Sequence, residues 1–220
     1  MTSQPTRILC VDDHDLLVNG LRARFDLESD LKCVGHLPSA EQLLHTVVED
    51  PPDIILLDIE MPGPDPFEAA DDIRRQHPGT RVIFLSAHIR DHYISAAVRA
   101  GAWGYFSKSD DTDSIVDGIR AVVRGRFAFG PKVQERCKPT NGRRRGEMTP
   151  PNTKLDMLSP REQEVLRLIG RGMTRSQIAL ALCRSPKTVD GHREKIMEKL
   201  DIHARGELVR FAIREGLVEV

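Results

Sequence analysis

Apolar residues follow two rhythms along this chain. Up to about residue 125, short apolar runs alternate with stretches whose apolar residues recur every three or four positions. From Leu158 onward only the second spacing persists. The runs are Arg7-Ile8-Leu9-Cys10-Val11, Leu31–Leu37, Ile54-Ile55-Leu56-Leu57, Arg81-Val82-Ile83-Phe84-Leu85-Ser86 and residues 102–106. Each predicts a strand. The run Ile54-Ile55-Leu56-Leu57 lies between Pro51-Pro52 and Pro62-Gly63-Pro64 and shows no polar face, which predicts a strand buried on both sides. Helical spacing follows each run. It is carried by Leu16, Leu17, Leu21 and Phe25, then by Leu43, Leu44 and Val47 behind Ser39 as an N-cap. Residues 67–76, 93–100 and 113–124 continue it, and His77-Pro78-Gly79, Gly101 and Gly125 stop those three helices.

Strand and helix alternating in this way predict an α/β unit over residues 1–126. Its expected form is a flavodoxin-like, doubly wound, five-stranded parallel sheet in the order 2-1-3-4-5. Residues 127–157 break the rhythm with Gly130-Pro131, Pro139, Asn141-Gly142, Arg143-Arg144-Arg145 and Pro150-Pro151, the composition of a linker. The arginine run reads either as a solvated stretch or as an extra phosphate contact. Residues 158–220 predict an all-α domain. Ser159 caps a helix with Pro160 in its first position and Glu162 completing a capping box. Thr174 caps a short second helix, Ser185-Pro186 opens a third running to about Leu200, and residues 206–215 form a fourth. Helix, short turn and helix is helix-turn-helix grammar. In the third helix Val189, Ile196 and Leu200 share the core face with His192 beside it. Lys187, Asp190, Gly191, Glu194, Lys195 and Glu198 face away.

Charge sharpens this division. Lys+Arg 32 nearly balances Asp+Glu 33 overall, but residues 1–130 carry 13 basic and 21 acidic side chains against 12 and 9 in residues 158–220. The back of the chain suits a polyanion and the front resists one. The four cysteines, Cys10, Cys33, Cys137 and Cys183, show no zinc or disulfide spacing. No apolar run is long enough for a signal peptide or a membrane span, so a cytoplasmic location without membrane association is expected.

The candidate chemistry lies at the strand ends. In the expected order strands 1 and 3 are neighbours, so Asp12, Asp13 and Asp58 converge. Three carboxylates with no nitrogen or sulfur partner suit Mg²⁺. The fourth strand delivers Ser86 and the fifth Lys108 to the same edge. A hydroxyl, an ammonium and a divalent cation around one carboxylate form a phosphoryl site with Asp58 as nucleophile. On the third helix of the back domain, Lys187 and Thr188 suit base or phosphate contact and Lys195 and Lys199 suit phosphates. Asp190 suits cytosine N4, or simply its place near a helix N-terminus.

Four separated stretches, the last of them running unbroken from Gly101 to Lys108, resemble the receiver domain of two-component response regulators. They are Val11-Asp12-Asp13-His14, Leu57-Asp58-Ile59-Glu60-Met61-Pro62-Gly63, Leu85-Ser86-Ala87-His88 and Gly101-Ala102-Trp103-Gly104-Tyr105-Phe106-Ser107-Lys108. The resemblance implies that Asp58 is the phosphoacceptor and that Asp12, Asp13, Asp58 and the Glu60 backbone carbonyl hold Mg²⁺. It implies that Ser86 and Tyr105 are the switch pair and that a sensor histidine kinase is the donor. Pro64-Asp65-Pro66 departs from the family, which usually has a glycine there. Glu60 and His88, beside Asp58 and Ser86, are expected to modulate the lifetime of the phosphoryl state.

The back domain resembles the LuxR-type helix-turn-helix of NarL/FixJ-type regulators. The matching residues include Leu158-Ser159-Pro160-Arg161-Glu162, Lys187-Thr188-Val189-Asp190-Gly191-His192-Arg193 and Ile196-Met197-Glu198-Lys199-Leu200. Arg175-Ser176-Gln177 departs from the commoner Asn-Lys-Glu. This resemblance implies a homodimer on activation and a pseudo-palindromic double-stranded DNA operator. The combined expectation is a transcriptional regulator switched by phosphorylation of Asp58, with no catalysis beyond its own phosphorylation and dephosphorylation. Two readings stay open beside it: a phosphorylation-independent DNA-binding scaffold, and an aspartyl-phosphate phosphohydrolase with Glu60 as its second acid.

Overall fold

The alternating runs of the front half become one parallel sheet. In the computed structural model, which describes residues 4–139, 148–151 and 153–218, β1 (Thr6–Val11) leads into α1 (Asp15–Asp26) and β2 (Leu31–Leu37). A 3-10 turn (Ala40–Gln42) capped by Ser39 precedes α2 (Leu43–Glu49) and β3 (Ile54–Asp58). Then come α3 (Pro66–Gln76), β4 (Arg81–Ser86), α4 (Asp91–Arg99), β5 (Gly104–Ser107) and α5 (Thr112–Val123). The expected strand order holds, with a sixth strand, β6 (Ala128–Phe129), added at the edge: β2-β1-β3-β4-β5-β6.

Successive side chains of a strand point to opposite faces, and that alternation builds two cores. Leu9, Val11, Ile55, Leu57 and Phe84 pack with Leu43, Val47, Ile73 and Ile94 from α2, α3 and α4. Ile8, Cys10, Ile54, Leu56 and Ile83 pack with Leu21, Phe25, Ile115 and Ile119 from α1 and α5. All five residues of β3 are buried, as its unbroken apolar run predicts.

The stretch expected to be linker is partly built into this unit. Chain β6 (Ala128–Phe129) pairs with β5 through Ala128 and Gly104 and through Phe129 and Tyr105. Pro131 does not break the chain: it is the first residue of α6 (Pro131–Gln134), in the first turn, where no N–H has an intrahelical partner to lose. Phe129, Val133 and Cys137 are buried in the first core. Strands β7 (Lys138–Pro139) and β8 (Met148–Thr149) pair antiparallel. Asn141-Gly142 and Arg143-Arg144-Arg145 lie outside the described residues. A two-residue strand leaves no periodic trace in sequence, which is why this addition to the sheet is silent there.

The chain divides at residue 151 into two compact units. The second begins with a 3-10 turn (Lys154–Met157) and continues with α7 (Pro160–Gly170), α8 (Arg175–Ala181), α9 (Pro186–Leu200) and α10 (Arg205–Arg214). Its core gathers Val165, Leu166, Ile169, Ile178, Val189, Ile196, Leu200, Leu208 and Phe211. The capping box of α7 is present: Glu162 N–H donates to Ser159 Oγ at 3.3 Å and Ser159 N–H to Glu162 Oε2 at 2.7 Å. Thr174 and Gln177 form the same box on α8, so the departure at Arg175-Ser176-Gln177 keeps its cap. The residues expected on the core face of α9, Val189, Ile196 and Leu200, are all buried.

Candidate functional site

Parallel strands deliver their C-terminal ends to one edge of the sheet, and the acidic residues meet there. Asp58 is the last residue of β3 and fully buried; Asp12 follows β1 and is 3% exposed. Lys108, just past β5, places Nζ 2.9 Å from Asp58 Oδ2 and 2.9 Å from Asp12 Oδ1 and Oδ2. Burial raises the pKa of Asp58, and the Asp12 carboxylate adds to the rise, against Lys108 and the Glu60 N–H. Burial alone would lower the pKa of Lys108; the two carboxylates more than offset that and leave it raised. One ammonium therefore holds two buried carboxylates.

Asp12, Asp13, His14 and Asp58 each offer a ligand atom within 4.8 Å of the others. Asp12 Oδ2 and Asp58 Oδ2 are buried and accept no well-directed hydrogen bond. Hard carboxylate oxygens held this close, with the Lys108 ammonium as their shared ion-pair partner, keep lone pairs that fit a small divalent cation such as Mg²⁺. Two histidines enter the corner without having been singled out in the sequence. His14 Nδ1 lies 2.7 Å from Asp13 Oδ1, and His36 Nε2 lies 2.7 Å from the Asp12 carbonyl. His14 adjoins the acidic pair, a usable signal; His36 comes from β2 and gives none.

Ser86 and Tyr105 converge on a single acceptor. Ser86 Oγ donates to the His88 carbonyl at 2.7 Å, and Tyr105 Oη donates to the same carbonyl at 3.4 Å. Tyr105 is fully buried, and that burial raises its pKa. His88 Nδ1 lies 3.2 Å from Glu60 Oε2, and the Glu60 N–H donates to Asp58 Oδ1 at 3.1 Å. The unusual Pro64-Asp65-Pro66 is a helix start. Asp65 Oδ1 accepts from the N–H groups of Phe67 and Glu68, and Pro66 is the first residue of α3.

In the second unit α8 and α9 form the helix-turn-helix. Lys187, Thr188, Glu194 and Lys195 are exposed on α9, and open space surrounds Gly191. Thr188 is also tied to the cap, its Oγ1 lying 2.8 Å from Ser185 Oγ. Two residues expected to face DNA are engaged within the domain. Lys199 Nζ sits 2.6 Å from the buried Glu162 carboxylate, which links α9 to α7. Asp190 Oδ2 lies 2.9 Å from Arg175 Nη1. Helical spacing reports the face a residue occupies but not the partner it finds there.

Residues 8–120 match the response regulator receiver domain, and residues 156–212 match the luxR family of bacterial regulatory proteins. This chain belongs to the response regulators. Relatives span the whole of it. The response regulator GacA of Pseudomonas viridiflava is 32% identical over 213 residues, covering 97% of this chain and 98% of GacA. The response regulator protein VraR of Staphylococcus aureus is 30% identical over 213 residues, covering 97% and 99%. Among solved structures, a LuxR-family two-component response regulator from Aurantimonas is 30% identical, with a TM-score of 0.57 over 60% of this chain and 94% of that one. The RcsB response regulator of Salmonella typhimurium has a TM-score of 0.66 over 97% and 99% at 22% identity, a likeness of fold. The response regulator is thus a transcriptional regulator carrying a LuxR-type DNA-binding domain. None of its described helices is long and apolar enough to cross a membrane.

Proposed function

We propose that this response regulator is switched by Mg²⁺-dependent phosphorylation of Asp58, with a histidine kinase as donor. The convergence of Asp12, Asp13, Asp58 and Lys108 at one sheet edge carries this reading. An Asp58 carboxylate oxygen attacks phosphorus, the P–N bond of a phosphohistidine breaks, and the leaving imidazole takes up a proton. Asp12, Asp13, Asp58 and the Glu60 carbonyl would hold the cation, which when bound supplies neutralising charge for the phosphoryl oxygens. Lys108 supplies the second positive charge from a position set by its two carboxylates. When Ser86 Oγ turns to a phosphoryl oxygen it gives up the His88 carbonyl, leaving that acceptor to Tyr105. Such an exchange links occupancy of the pocket to the loop that opens α4.

Glu60 and His88 flank the same pocket and set how long the phosphoryl group lasts. Removing the negative charge in Glu60→Gln is expected to slow autodephosphorylation, and His88→Ala is expected to hasten it. Each change is about fivefold, what a partly exposed pair worth ~1 kcal/mol provides. A chase of the phosphoprotein by intact mass measures both rates, and two unchanged half-lives remove the pair from the mechanism.

The output is DNA binding through α9, with Lys187, Thr188, Gly191, Glu194 and Lys195 toward the duplex, by a dimer in the cytoplasm on a pseudo-palindromic site. Selection of bound duplexes from a random pool, with and without acetyl phosphate and Mg²⁺, tests the whole reading. A two-fold symmetric sequence enriched far more strongly with acetyl phosphate is expected. Equal enrichment in both arms makes the protein a DNA-binding scaffold that ignores its acidic corner.

A further inference from the structure

The charge available to grip a polyanion is not on the outward face of α9. There the exposed Lys187 and Lys195 are matched by the exposed Glu194 and Glu198. It gathers instead at one edge of the helix-turn-helix, where three helices each supply an arginine: Arg175 opens α8, Arg193 lies on α9, and Arg205 opens α10. All three line one cleft of about 60 Å³ together with Asp190. Arg175 Nη1 is 2.9 Å from Asp190 Oδ2, Arg193 Nη2 is 3.5 Å from Asp190 Oδ1, and Arg205 Nη2 donates to the Met173 carbonyl at 2.7 Å.

Three guanidinium groups against one carboxylate leave an excess of positive charge. Both oxygens of that carboxylate face arginines, so reading cytosine N4 would require Asp190 to abandon them. The Arg175 side chain is 56% exposed, and a guanidinium carries five donors. With one Nη held by Asp190, the rest of the fork can meet the two free oxygens of a phosphodiester. Resting on the reading that this domain binds DNA, we propose that Arg175, Arg193 and Arg205 form a site for a backbone phosphodiester. In it Asp190 is the positioning residue that aims Arg175, and it reads no base.

The test measures affinity of the full-length wild type, Arg175→Gln, Asp190→Asn and the double variant across a salt series. The duplexes are the sequence enriched from the random pool and an unrelated one, and Lys187→Ala serves as a second reference. Arg175→Gln is expected to weaken both duplexes alike, about tenfold at low salt, and to reduce the slope of log affinity against log salt by about 1. Asp190→Asn should weaken both by about threefold and enrich the same sequence as wild type. The double variant should be no worse than Arg175→Gln alone, since the two residues act as a unit. An unchanged salt slope for Arg175→Gln, or a preference altered at one base pair in Asp190→Asn, overturns the inference while wild-type binding leaves the DNA reading standing. If wild type binds neither duplex, the DNA reading fails and takes this site with it.

Discussion

Asp58→Asn is expected to accept no phosphoryl group and yet to melt at a higher temperature than wild type when Mg²⁺ is chelated. The first half follows from losing the nucleophile: an amide oxygen does not attack acetyl phosphate, so intact mass should show no modified protein. The second half follows from charge. Asp58 is fully buried beside Asp12, with one ammonium between two carboxylates, and its pKa is raised by burial first and by Asp12 next. A carboxyl group whose pKa is higher folded than unfolded favours the fold below its unfolded value and loses that contribution as pH rises through the folded value. At pH 7.5 ionised Asp58 therefore works against folding, and the neutral amide removes the penalty. The melting difference between Asp58→Asn and wild type should be positive at pH 7.5 and shrink as pH falls into the carboxylate range. Mg²⁺ at ten times its Kd should then stabilise wild type by about 1.4 kcal/mol, with a much smaller effect on the variant. A variant that melts no higher than wild type in chelator would show that the two carboxylates are not in conflict.

Lys108→Ala is expected to be impaired both in chemistry and in stability. Its ammonium is the one cation within ion-pair reach of both Asp12 and Asp58 among the described residues. Removing a preorganised positive group from a phosphoryl transition state costs about 10²–10³ in rate, so uptake from acetyl phosphate at saturating Mg²⁺ should slow by that factor. Leaving two buried carboxylates without a counter-charge should destabilise the fold by about 3 kcal/mol in chelator. Adding Asp58→Asn to Lys108→Ala should restore part of that loss, since only one charge then lacks a partner. Denaturant melts of the four proteins form a double-mutant cycle. Phosphorylation within threefold of wild type in Lys108→Ala would place the lysine outside the reaction.

Much of the front half was legible because parallel sheets write themselves plainly. The run Ile54-Ile55-Leu56-Leu57 has no polar face because both faces of β3 are covered, and the residue that ends it, Asp58, falls at the sheet edge. The corner was legible for the same reason: Asp12, Ser86 and Lys108 each end an apolar run, so strand order alone brings them together. What stayed hidden depends on contacts between distant residues. Lys199 and Glu162, and Asp190 and Arg175, are paired across helices, and spacing along one helix says nothing of what the next presents. Nor does composition separate a proline that opens a helix from one that marks a connector, and so the residues of β6 and α6 carry the composition of a linker.

That last feature decides where the protein can be divided. A front fragment ended at residue 126 would lack Phe129, Val133 and Cys137, leave β5 as a bare edge and uncover the apolar floor beneath α6. A cut after Pro151 removes none of them. Chimaeras that graft this receiver half onto a foreign output domain should be joined at the later position, where the transplanted piece carries its own lid.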